Sequence, residues 1–108
     1  PYMLMQDGAV RNAYTLRLRN MEARPRDMEI ALSGLPAGSV LWTDAIGRAE
    51  AAGAQTVRVP ANETTIVRAY VVIPQGAQAH DFAFQLTSLD EQSEFDSEAT
   101  TFAMPGDI

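Results

Sequence analysis

The chain has 108 residues, 46% of them apolar and 20% charged, with a net charge of −6 and no cysteine. That is one domain by size, with enough apolar mass for a single core. Without thiols there are no disulfides, thiolate metal sites or cysteine nucleophiles, and the acidic balance argues against nucleic acid or anionic lipid as the main partner.

No apolar run approaches the ~20 residues of a membrane span, and no basic-then-apolar leader opens the chain. It begins at Pro1 rather than Met, so residues 1–108 are expected to be a single domain cut from a longer protein. Every basic residue is arginine.

Period-two alternation runs through almost the whole chain. Tyr2 to Met5 reads as an opening edge strand. From Val10 to Asn20 the even positions carry Val10, Asn12, Tyr14, Leu16 and Leu18, and the odd ones Arg11, Ala13, Thr15, Arg17 and Arg19. This predicts a half-buried strand with one basic face. Pro25 interrupts the following loop, and Met28, Ile30 and Leu32 then alternate with Asp27, Glu29 and Ala31. Folded as a hairpin, these two strands place Arg19 opposite Asp27 and Arg17 opposite Glu29. Leu18 then meets Met28, Leu16 meets Ile30 and Tyr14 meets Leu32 on the inner face.

Ser33 to Gly38 is a turn, Val40-Leu41-Trp42 a short strand, and Ala45 to Gly53 a loop of small residues. Thr56 to Val59 and Thr65 to Ile73 are strands joined at Pro60-Ala61-Asn62-Glu63, with Val67, Ala69, Val71 and Ile73 inward. Phe82, Phe84 and Leu86 alternate on the next strand, and an acidic tip from Asp90 to Asp96 leads to a last strand near Ala99 to Met104. No segment keeps a helical period. Seven or eight short strands separated by turns predict an all-β, immunoglobulin-like two-sheet antiparallel sandwich.

The side chains offer little chemistry. His80 is the only imidazole and lies in a loop, with no nucleophile elbow anywhere. The stretch Asp90 to Glu98 could offer carboxylates to calcium, but it lacks the spacing and the glycine of an EF-hand loop; a solvated hairpin tip is the simpler reading. Met3 and Met5, with His80, are a conceivable Cu(I) set, although methionines at alternating positions usually pack. Arg11, Arg17 and Arg19 share a face that Arg24 and Arg26 extend, neutralised by Asp27 and Glu29 if the hairpin holds. Trp42 is expected in the core; exposed, it would suggest a sugar- or partner-binding platform. No catalytic, cofactor-binding or metal-binding residue is assigned.

One block is more specific. Pro1-Tyr2, then Asp7-Gly8-Ala9-Val10-Arg11-Asn12-Ala13-Tyr14-Thr15-Leu16, Asn20-Met21 and Gly34-Leu35-Pro36 resemble the carboxy-terminal domain of the FixG/CcoG family. Val57-Arg58-Val59-Pro60 and Val72-Ile73-Pro74 fit the same pattern. Family members are polytopic inner-membrane proteins with a ferredoxin-like iron–sulfur portion that assist assembly of cbb(3)-type cytochrome c oxidase through copper handling. The resemblance therefore implies a non-catalytic accessory domain at the periplasmic face. Its partners would be oxidase subunits or the parent's own membrane part, and iron–sulfur clusters would belong to the parent rather than to this domain. The motif itself reads as fold-forming, with Asp7-Gly8 a turn and Tyr14 core. The alternatives are a free-standing exported adhesion or carbohydrate-binding module, and a metallochaperone in which Met3, Met5 and His80 converge.

Overall fold

The computed structural model describes residues 2–44, 50, 51, 54–90 and 95–106, with 50 and 51 as backbone alone. Nine strands form among them: β1 (Met3–Leu4), β2 (Val10–Asn20), β3 (Arg26–Ser33), β4 (Val40–Thr43), β5 (Glu50–Ala51), β6 (Ala54–Val59), β7 (Glu63–Ile73), β8 (Asp81–Ser88) and β9 (Phe95–Thr101). The eight strands read from the sequence are all present. The two-residue β5 adds one more, in the stretch expected to be a loop. β9 also starts earlier than expected, so Asp96 and Glu98 lie in a strand rather than at a hairpin tip.

Two antiparallel sheets stack, ordered β1-β2-β7-β4-β5 and β6-β3-β8-β9. Alternation works as the sequence predicts: Val67, Ala69, Val71 and Ile73 on β7 are fully buried, facing Ile30, Val57, Val59, Phe82 and Phe84 of the second sheet. Each buried valine, isoleucine or phenylalanine of this set contributes roughly 1.5–3 kcal/mol by leaving water.

The expected β2–β3 hairpin does not form. β2 pairs with β7, from Val10 opposite Ile73 to Asn20 opposite Glu63. β3 pairs with β6 and β8 in the other sheet. The loop after Asn20 therefore crosses the sandwich instead of turning back in one plane. Apolar faces of β2 and β3 do meet, but across the ~10 Å between sheets rather than side by side. Asp27 pairs with Arg58 of β6 at 3.1 Å, not with Arg19. The arginines of β2 are thus not neutralised by Asp27 and Glu29. Arg26, expected in a solvated basic loop, is buried as the first residue of β3 and donates from Nη2 to Ser88 Oγ at 2.6 Å.

Candidate functional site

The block from Asp7 to Tyr14 is a closure device. Asp7 Oδ1 accepts the Ala9 N–H at 3.0 Å, and Gly8 N–H donates to Met5 O at 3.0 Å, which turns β1 into β2. Gly8 sits at φ +86°, and a Cβ there would lie 2.7 Å from the Gln75 side chain. The left-handed backbone calls for glycine, whereas the exposed Gln75 side chain is free to move aside.

Asn12 points inward from β2. Its Oδ1 accepts the Ala103 N–H at 2.8 Å and its Nδ2 donates to Ala103 O at 3.1 Å, as a neighbouring strand would. The Tyr14 hydroxyl donates to Thr101 O at 2.8 Å. The ring meets Phe82 and Phe84 edge-on, with centroids 5.5 and 5.2 Å away. Desolvation pushes the Tyr14 hydroxyl up to about 12, so it stays protonated and donating. These contacts bind the segment after β9 to β2.

A second inward asparagine closes the opposite pole. Asn20 Nδ2 lies 2.8 Å from Arg24 O, 3.1 Å from Pro60 O and 3.2 Å from Val59 O, while its Oδ1 accepts the Glu22 N–H. One buried side chain thus ties together two sheet-crossing loops at this pole, the one after β2 and the one after β6. On the flank between β4 and β6, Thr43 Oγ1 donates to Gln55 Oε1 at 2.8 Å and Gln55 Nε2 donates to Leu41 O at 3.0 Å.

The opposite flank is open. Below the Tyr14 contact, β2 and β9 part around a cleft of about 300 Å³. Its floor is apolar, with Leu16, Ile30, Phe84 and Leu86, and its rims carry Arg17 on β2 against Asp96 and Glu98 on β9.

Trp42 is not a core residue. In the four-residue β4, Leu41 and Thr43 take the inward positions, and Trp42 stands half-buried on the outer face. It lies beside Tyr70, centroids 6.2 Å apart, and the Arg11 guanidinium covers the Tyr70 ring at 5.0 Å.

The sequence candidates for metal chemistry are scattered. Met3 is half-exposed on β1 at the edge of one sheet, with Met5 just beyond it. His80 is exposed ahead of β8 in the other sheet, where its carbonyl accepts the Phe102 N–H. Met28 and Met104 are core residues, and Met21 is exposed on the loop after β2. Of the acidic stretch, Asp90 pairs with Arg24 at 2.8 Å, residues 91–94 lie outside the described ones, and Asp96 and Glu98 are exposed on β9. Among the described residues, no group of three or more acidic or imidazole side chains is placed to hold a metal ion.

Sequence reasoning missed Asn12, Asn20, Gln55 and Arg26 as organising residues. A signal was present for all four: Asn12 and Asn20 keep the even phase of β2, Arg26 that of Met28 and Ile30, and Gln55 that of Val57 and Val59. A polar residue in phase with a core stripe must find partners inside.

Two stacked antiparallel sheets, sheet-crossing loops and polar side chains locking both poles define an immunoglobulin-like sandwich module. The N-terminal domain of PorA has the same fold, with a TM-score of 0.58 over 94% of this chain and 81% of that one, at 11% identity. By sequence the chain belongs to the family described as "IG-like fold at C-terminal of FixG, putative oxidoreductase", whose model matches residues 1–105. It is 30% identical to the nitrogen fixation protein FixG of Rhizobium meliloti (strain 1021), over 97% of this chain and 20% of FixG. It is 35% identical to protein RdxB of Cereibacter sphaeroides, over 72% of this chain and 15% of RdxB. The figures for RdxA of that organism are 38%, 70% and 15%. The chain therefore spans a fifth or less of each of these relatives.

Proposed function

We propose that this domain is a non-catalytic docking module of a membrane-bound iron–sulfur protein that assists assembly of cbb(3)-type cytochrome c oxidase, on the copper-handling branch. The family match over residues 1–105 carries this reading. The geometry supports it: the polar groups inside the sandwich are engaged in closing the fold, which leaves the outer faces for recognition. The module stands at the periplasmic face, and the iron–sulfur clusters belong to the rest of the parent protein.

The test is to delete residues 1–108 from the parent protein in its own bacterium. Parent level in membranes and cbb(3)-type oxidase activity are then measured together. A parent still present with oxidase activity strongly reduced is the expected result. Unchanged oxidase activity would discard the assembly role.

A second reading, a carbohydrate-binding module, draws on the outward position of Trp42 next to Tyr70. Trp42 is the only tryptophan, so titrating soluble oligosaccharides against intrinsic fluorescence reads that face directly. A saturable change would favour this reading, and a flat response would remove it.

A further inference from the structure

The outward positions of β2, β7 and β4 form a face unlike the chain as a whole. Register sets its rows: Arg11, Val72 and Val40; Ala13, Tyr70 and Trp42; Thr15 and Arg68; Arg17 and Ile66; Arg19 and Thr64. Four arginines stand at the described outward positions of these strands and no acidic residue does, in a chain with 14 acidic residues. Asp44 borders the face, its carboxylate accepting the Arg68 backbone N–H at 2.8 Å. The salt bridges among the described residues, Arg24 with Asp90 and Arg58 with Asp27, do not involve Arg17, Arg19 or Arg68, although Arg17 shares the cleft rim with Asp96 and Glu98.

We propose that this face docks an acidic protein surface, one that presents carboxylates around an apolar anchor. Val40, Trp42, Tyr70 and Val72 are contiguous across two strands and each is half-buried, and Ile66 is 60% exposed below them. Tryptophan, tyrosine and arginine are the residue types that concentrate binding energy at protein interfaces. Arg11 is already laid over Tyr70, so less side-chain freedom is lost when a partner arrives. The positive rim supplies the complement to carboxylates and steers their approach. The row through Tyr70 and Trp42 ends at Glu50 on β5, so the positive character of the face lies on the β2 and β7 side of the aromatic pair.

The test pans short random peptides displayed on phage over the 108-residue chain at low salt. Enriched peptides are synthesised and titrated by Trp42 fluorescence. Peptides rich in Asp and Glu around an apolar residue are expected, with affinity that falls as salt is added. The double variant Arg17→Glu/Arg68→Glu, both exposed positions, should keep its melting curve and lose about tenfold or more in affinity. An empty selection, peptides without acidic bias, or binding unchanged in the double variant would each overturn the proposal. Binding to phosphatidylglycerol vesicles in place of acidic peptides would assign the face to lipid and overturn it too. The proposal rests on the docking reading for the existence of a partner, yet the two fail separately. Loss of oxidase on domain deletion with acid-blind peptides would keep docking and discard this face, whereas acid-selective binding beside an intact oxidase would do the reverse.

Discussion

The two flanks of the sandwich close differently. Between β4 and β6 a single buried side chain, Gln55, spans the sheets and bonds both Thr43 and the Leu41 carbonyl. Between β2 and β9 closure is confined to one end, where Asn12 and Tyr14 hold residues 101–103. Past Tyr14 no side chain bridges the strands among the described residues, and the cleft over Leu16 and Leu86 opens. Hydrophobic burial brings the sheets together everywhere, but it has no direction. The lateral fit is set by a few polar side chains that mimic a missing neighbouring strand.

The comparison can be broken at the stitched flank first. Gln55→Ala leaves Thr43 Oγ1 and Leu41 O buried without their partner and should cost about 2–4 kcal/mol, read as a lower urea midpoint. At the open flank, Asn12→Ala should cost about 2 kcal/mol. It should also free the Ala103 N–H to exchange with solvent, since the released segment can reach water. If both variants unfold at the same midpoint, the flanks are equally dependent on their polar contacts and the contrast fails.

Tyr14→Phe sharpens the comparison by removing one hydrogen bond while keeping the aromatic packing, for a loss of about 1 kcal/mol. It has a pH signature as well. The folded Tyr14 value, about 12, lies above its ordinary 10.0. The stability tied to the neutral hydroxyl is therefore whole below pH 10 and lost as pH rises from 10 through 12. The wild-type chain should lose stability across that window more steeply than Tyr14→Phe; parallel curves would show that the hydroxyl is not desolvated. The smallest effect is expected at Arg58→Ala, where an exposed ion pair with Asp27 contributes less than about 1 kcal/mol.

Which face of the longer strands is buried was legible in the sequence; which strand lies next to each was not. The alternation of β2 and β3 satisfies a hairpin and a cross-sandwich contact equally well, because both set Leu16 and Leu18 against Met28 and Ile30. The matching of Arg19 with Asp27 was coincidental, and Arg58 on β6 is the residue that Asp27 meets. The core position expected for Trp42 is taken by its neighbour Leu41. In a strand of four residues the phase is set by a single position, and Leu41 holds it. The outer arginine face shows a related limit, since a net charge of −6 describes the whole chain and not one face of one sheet. Family membership was legible from the Asp7 to Tyr14 block, whose residues make the closing contacts.

The β2–β7 ladder also governs when the molecule can fold. Its partners lie 63 residues apart at Val10 and Ile73 and 43 apart at Asn20 and Glu63. Closing loops of that length precedes any reward from the ladder, which places such a chain among slow, millisecond-to-second folders. On the ribosome, β2 emerges early and waits with its apolar side bare until β7 has been made. Asn12 waits longer still, for Ala103. Variants that slow this last step should raise aggregation during synthesis without altering the finished sandwich.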